Sequence, residues 1–149
     1  MKKIFYLCIT ILFSCQAMAS DITGYWTTID DETQQPKSVV QIYKYQNKYY
    51  GRIVEIFNNK EAVAKLTNSP RILGLDIIWD LEKKDEKYKN GSILDPQKGK
   101  VYGLEAWKDG ENLIIRGKIA FLGRNQTWLK NTTFTPNEEQ TLVPKIIKP

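Results

Sequence analysis

From residue 23 to residue 130 the chain alternates short blocks of β-formers with tight polar breaks. Residues 23–29 (TGYWTTI) end in the acidic turn Asp30-Asp31-Glu32. Residues 38–45 (SVVQIYKY) and 49–57 (YYGRIVEIF) are joined by Gln46-Asn47-Lys48, a hairpin connection in which Asn tolerates a positive φ. Residues 73–81 (LGLDIIWDL) read as a mostly apolar strand, and the charged stretch 82–87 as a solvated turn. Residues 91–94 lead into Asp95-Pro96-Gln97-Lys98-Gly99, and residues 100–108 return. In that turn Asp95 accepts backbone N–H bonds, Pro96 presets φ and Gly99 completes the reversal. Asp109-Gly110-Glu111-Asn112 opens residues 113–119, and residues 123–130 (GRNQTWLK) form the last strand.

This pattern predicts an all-β domain of about eight antiparallel strands in meander order. Such a sheet has exposed edges unless it closes, and up-and-down closure with eight strands yields a small barrel. An open sandwich is the alternative. Segment 58–71 is the one longer insert. It is polar, ends at Ser69-Pro70, and has room for a short helix but few apolar residues to bury one. The tail, 131–149, carries turn formers and prolines and reads as extended packing. Residues 49–57 have apolar groups on both faces, with Tyr49, Gly51, Ile53 and Phe57 opposite Tyr50, Val54 and Ile56 around Arg52. Some outer residues are therefore expected to lie under the insert or the tail.

The first nineteen residues follow a different rule. Met1-Lys2-Lys3 is positive, Ile4 to Phe13 is apolar apart from Thr10, and Ala17-Met18-Ala19 fits a small-x-small cleavage site. The apolar run is well short of the roughly 20 residues that cross a bilayer. Residues 1–19 thus read as a signal peptide and 20–149 as a single exported domain, periplasmic or secreted, with its core at about 23–130. A rival cleavage box, Leu12-Phe13-Ser14-Cys15, would leave a lipoprotein anchored at Cys15. Cleavage after Ala19 removes Cys8 and Cys15, the chain's two cysteines, and the sequence has no histidine. Thiol catalysis, Ser–His dyads and the usual zinc sites are thereby excluded. The formal charge of +5 falls to +3 without Lys2 and Lys3, and the remaining cations are spread evenly. No nucleic-acid stripe is expected from that distribution.

Gly24-Tyr25-Trp26, Tyr49-Tyr50-Gly51-Arg52-Ile53-Val54, Gly74-Leu75, the run 90–96 (NGSILDP) and Gly99-Lys100-Val101-Tyr102 recur in a recognisable order. With residues 113–117 and Gly123-Arg124-Asn125-Gln126-Thr127-Trp128, they resemble the small exported bacterial proteins catalogued as domain of unknown function 2147. That resemblance implies a lipocalin-like barrel and assigns no reaction. A looser similarity to the calycin superfamily rests on Gly24 and Trp26. It implies that an arginine of the last strand, Arg124, stacks on Trp26 to close one end, with Trp128 nearby. The chain departs from lipocalins in being shorter and in lacking a disulfide and a clear second motif.

Asp95 is read as turn structure, and Asp30, Asp31, Glu32, Asp76 and Asp80 as solvated carboxylates without the spacing of a calcium loop. No metal or other cofactor is expected. The aromatic set is expected mostly in the core, with part of it facing a cavity. Export, the missing reactive side chains and the barrel together point to binding of a small apolar or lipidic ligand without catalysis. Tyr43, Tyr50, Arg52, Trp79, Tyr102 and Arg116 are the candidate contacts, with either arginine meeting a carboxylate if it points inward. The alternative is an envelope interaction module with a filled barrel, and the third reading is a His-free carboxylate hydrolase.

Overall fold

The computed structural model describes residues 21–137 and 140–149; the segment expected to be a signal peptide, 1–19, and both cysteines lie outside the described residues. Eight strands follow in order: β1 (Gly24–Ile29), β2 (Pro36–Tyr45), β3 (Lys48–Ile56), β4 (Asp76–Lys84), β5 (Lys87–Asp95), β6 (Lys100–Asp109), β7 (Asn112–Ile119) and β8 (Leu122–Lys130). Each pairs antiparallel with the next, and β1 meets β8 to close the barrel. The sandwich is thereby excluded.

Contacts between strands that are not neighbours define the inside. Tyr49 of β3 meets Tyr88 of β5 edge to face, with ring centroids 5.0 Å apart. Lys108 of β6 places Nζ 4.7 Å from the Trp26 ring of β1. From these anchors, strand alternation directs Val40, Ile42, Leu104, Ala106, Leu113, Ile115 and Trp128 inward, and all are buried. Two glycines make room for this packing. A Cβ at Gly51 would press on Ile78, and one at Gly91 would collide with Leu81.

Because the chain is a meander, its turns alternate between the two ends. The β2–β3, β4–β5 and β6–β7 turns form the closed end with Ile22, a fully buried plug whose carbonyl accepts the Trp26 Nε1–H at 2.8 Å. The β1–β2, β3–β4, β5–β6 and β7–β8 connections form the opposite end.

Two expectations are corrected, and that for the β2–β3 turn is met and extended to a second residue. The charged stretch 82–87 is not all turn: β4 runs to Lys84 and β5 starts at Lys87, with Lys83 paired to Tyr88 across the two-residue turn. Ladder pairing at a solvated barrel rim suits lysines as well as apolar residues. In the β2–β3 turn both Gln46 and Asn47 have positive φ, the signature of a tight two-residue hairpin. The insert holds no helix; its single Val63–Arg71 bridge folds it back and buries Ala64, Leu66 and Ile72. Lys65 N–H donates to the Pro96 carbonyl at 2.9 Å, which straps the insert to the β5–β6 turn over part of the end.

The packed lumen leads to a paired expectation. Among the described residues the buried Tyr88 hydroxyl has no hydrogen-bond partner, and burial, with Tyr49 and Asp21 adding to it, pushes its phenol up to about 12. Tyr88→Phe removes a desolvated group and should leave stability within about 0.5 kcal/mol of the parent or raise it. Trp26→Ala should cost about 3–5 kcal/mol in denaturant unfolding.

Candidate functional site

Two groups of polar side chains stand out, one on the outer wall and one at the end away from Ile22. On the outer wall, Tyr43 of β2 and Arg52 of β3 alternate with the inward Ile42 and Gly51. Arg52 donates through Nε to Asp76 Oδ1 at 3.1 Å and through Nη2 to Oδ2 at 3.0 Å, and the Tyr43 hydroxyl donates to Oδ1 at 2.9 Å. The tail crosses over this pair. Arg52 reaches the carbonyls of Thr141 and Val143, and the Lys145 N–H donates to Asp76 Oδ2 at 2.9 Å. Asp76 is fully buried, so its reading as a solvated carboxylate is corrected. Its place among Leu73, Leu75, Ile77 and Ile78, with an arginine on another strand, was the signal available. Burial opposes the Arg52 charge, but the bonds and charge of Asp76 outweigh it and hold Arg52 above the usual arginine range. Burial, then the Asp76 charge, raises the Tyr43 phenol.

Tyr50 shares this wall, stacked on Tyr43 with centroids 5.8 Å apart and donating to Asp80 at 3.3 Å. Trp79 is buried on the face opposite Ile78. Arg116 also points outward: it donates to Asn125 at 3.1 Å and lies over Gly123, where a Cβ would collide with its guanidinium. None of the three arginine and tyrosine candidates on the tail-covered wall can meet a ligand in the lumen, nor can Arg116. Tyr102 is the candidate that faces inward, half-buried and level with Ile93 and Gly117.

The second group includes that tyrosine. Alternation from Trp128 brings Gln126 and Arg124 to the inner face of β8, opposite Ile115 and Gly117 of β7. Asp31 of the β1–β2 loop accepts from Arg124 at 2.9 Å and from Gln126 at 2.8 Å, and Trp128 Nε1–H donates to Gln126 at 3.3 Å. Thr28 and Ser38 share a buried hydroxyl contact of 2.7 Å beside them. The seam explains the opening. Only Trp26–Lys130 and Thr27–Leu129 pair β1 with β8, so above them β8 is bonded to β7 alone. The Asp31 side chain bridges where a ladder would otherwise continue. Towards the closed end the lumen is filled; here Tyr102, Gly117, Arg124 and Gln126 remain accessible.

The closing pair is corrected as well. The Trp26–Lys130 register puts Arg124 six residues up its strand, roughly 20 Å away. Lys108 covers the Trp26 ring instead, while the Arg124 side chain is 71% exposed. Gly24, at φ 128°, starts β1 in a backbone region that suits glycine. Asp95 accepts the N–H groups of Gln97 and Lys98, and Gly99, at φ 66°, lies too close to the Lys65 carbonyl for a side chain. Among the described residues no group of three or more Asp, Glu, His or Cys is placed to hold a metal ion. Two shallow depressions, of about 390 Å³ over the closed-end lysines Lys44, Lys48, Lys83 and Lys84 and of about 630 Å³ beside Pro36 and Phe57, open on the surface.

Residues 24–130 match the model of a family described as "Uncharacterized protein conserved in bacteria (DUF2147)". The chain belongs to that family. No curated protein matches it. Among solved structures it is similar to protein HP1028 from the human pathogen Helicobacter pylori, which is described as belonging to the lipocalin family. The TM-score is 0.64 at 18% identity, over 76% of this chain and 84% of that one. At that identity the likeness establishes a lipocalin-like fold for this member of the family.

Two measurements separate the two polar groups. Asp76→Ala strands a buried guanidinium and releases the tail, and should cost about 3–5 kcal/mol in chemical unfolding. Arg124→Ala breaks only an exposed pair and should stay within about 0.5 kcal/mol of the parent in the same assay.

Proposed function

We propose that this protein is an exported carrier in the cell envelope that takes a small amphiphile, apolar in body and anionic at one end, at the open mouth of its barrel. The observation that carries this reading is the uncovered inner face of β6–β8, where Tyr102 stands beside Leu104 and Gly117, with Arg124 and Gln126 at its rim. Small-ligand sites are commonly apolar concavities with a few polar groups that fix orientation. The filled lower lumen confines the ligand to the upper half of the barrel, so a short or bent chain suits it better than a fully enclosed one. Arg124 has a carboxylate partner already in Asp31, and a ligand carboxylate or phosphate can exchange for it with like geometry. The site so read binds and carries out no reaction.

The packed closed half favours one other reading, an interaction module whose barrel is scaffold only. Thermal-shift and native mass spectrometry against medium-chain fatty acids and their alcohols separate the two. A carrier should show stabilisation by the acids, and Arg124→Ala should weaken acid binding about tenfold while barely changing alcohol binding, as loss of one charge-assisted bond requires. Absence of any shift, or a shift indifferent to Arg124, would count against the mouth site.

A further inference from the structure

The β7–β8 turn breaks two local rules together. Ile119 pairs with Leu122 across a two-residue turn of Ala120 and Phe121, where Asn and Gly are the residues of choice, and Ala120 is held at φ 54°. The tip is also strongly exposed, with Ile119 at 62%, Leu122 at 68% and Phe121 at 89%. A soluble hairpin has no use for an apolar tip of this kind, which is costly to hydrate and prone to association.

Its surroundings restrict what it can meet. Phe57 just before the insert, Val63 within it and Val101 at the start of β6 are exposed at the same end, whereas Leu129 and Val143 are, among the described residues, the exposed large apolar ones elsewhere. The hairpin from 112 to 130 has no acidic residue; Arg116, Lys118 and Arg124 lie in its half nearer the tip, while Lys130 is at the closed end beside Glu111. Lys118 is bonded to Glu105 and Arg124 to Asp31, while among the described residues Arg116 has a neutral partner, Asn125. The insert adds Lys60, Lys65 and Arg71 against Glu61, the β5–β6 turn adds Lys98 and Lys100 against Asp95, and the β1–β2 loop, with Asp30, Asp31 and Glu32, is acidic.

We infer that this end of the barrel docks on an anionic lipid surface, with Phe121 and Leu122 entering the headgroup layer and Arg116, Lys118 and Arg124 meeting lipid phosphates. Apolar side chains backed by basic ones are the combination that holds a peripheral protein at such an interface. Docked this way, the mouth faces the bilayer. The inference does not require a ligand in the mouth.

Co-sedimentation with vesicles tests it, comparing phosphatidylcholine mixed in roughly equal parts with phosphatidylglycerol against phosphatidylcholine alone. Binding should be about tenfold stronger on the mixed vesicles, and Phe121→Ser with Leu122→Ser should lose about tenfold without lowering the melting temperature. Because residues 20–149 contain no cysteine, a dye on Phe121→Cys reports its own environment. Its emission should shift to the blue on mixed vesicles, and that of a dye on Glu86→Cys, at the opposite end, should not. Equal binding to both vesicles, retention by the double serine variant, like shifts at both positions, or a concentration-dependent dimer that needs Phe121 would each overturn the inference. Fatty-acid stabilisation in solution, measured on the same serine variant, keeps failure here distinct from failure of the mouth site.

Discussion

The seam between β1 and β8 sets the character of this barrel. A meander without disulfides is held in the round only where its first and last strands bond, and here that bonding is two residue pairs long. Asn131 reinforces it, donating its backbone N–H to Tyr25 and its side-chain amide to Thr27. Below the seam the lumen can exclude water, and Trp26, Leu113 and Trp128 fill it. Above it β8 has a free edge, which the Asp31 carboxylate crosses to reach Arg124 and Gln126. A fully laddered seam would extend that closure, and a shorter one would leave Trp26 wet. The short seam thus separates the packed half from the open half.

The insert and the tail act on the remainder of the wall. The insert buries Ala64, Leu66 and Ile72 over the β5–β6 side, so access is confined to the β6–β8 side. The tail covers β2, β3 and β4 from outside, fixed by a buried ion pair that is worth having only because every oxygen of Asp76 is bonded. A buried charge with fewer partners would cost more than it returned.

Much of this was legible in the chain. Period-two blocks, turn residues such as Asp95 and Gly99, and the count of strands were enough for a closed meander, and two apolar faces on residues 49–57 pointed to a cover. What alternation cannot supply is the sign of each face: Arg52 and Tyr43 belong to the outer wall, and only a cross-lumen contact such as Tyr49–Tyr88 decides that. Asp76 was missed because a carboxylate in an apolar run looks the same in sequence whether it is solvated or paired. Arg124 was placed on Trp26 by likeness to other barrels, but the Trp26–Lys130 register puts it at the other end. Lys108 took its place because β6 carries it inward opposite Leu113.

The strap over β2–β4 has an evolutionary corollary. Where a wall is apolar on both sides, neither odd nor even positions are free to drift, so homologues should hold those three strands as unbroken conserved runs. The strands β6–β8, bare on the outside, should instead accept change at every second residue. A family in which the tail had been lost would be expected to regain the alternating pattern in β2–β4 as well, with Arg52 and Asp76 disappearing together.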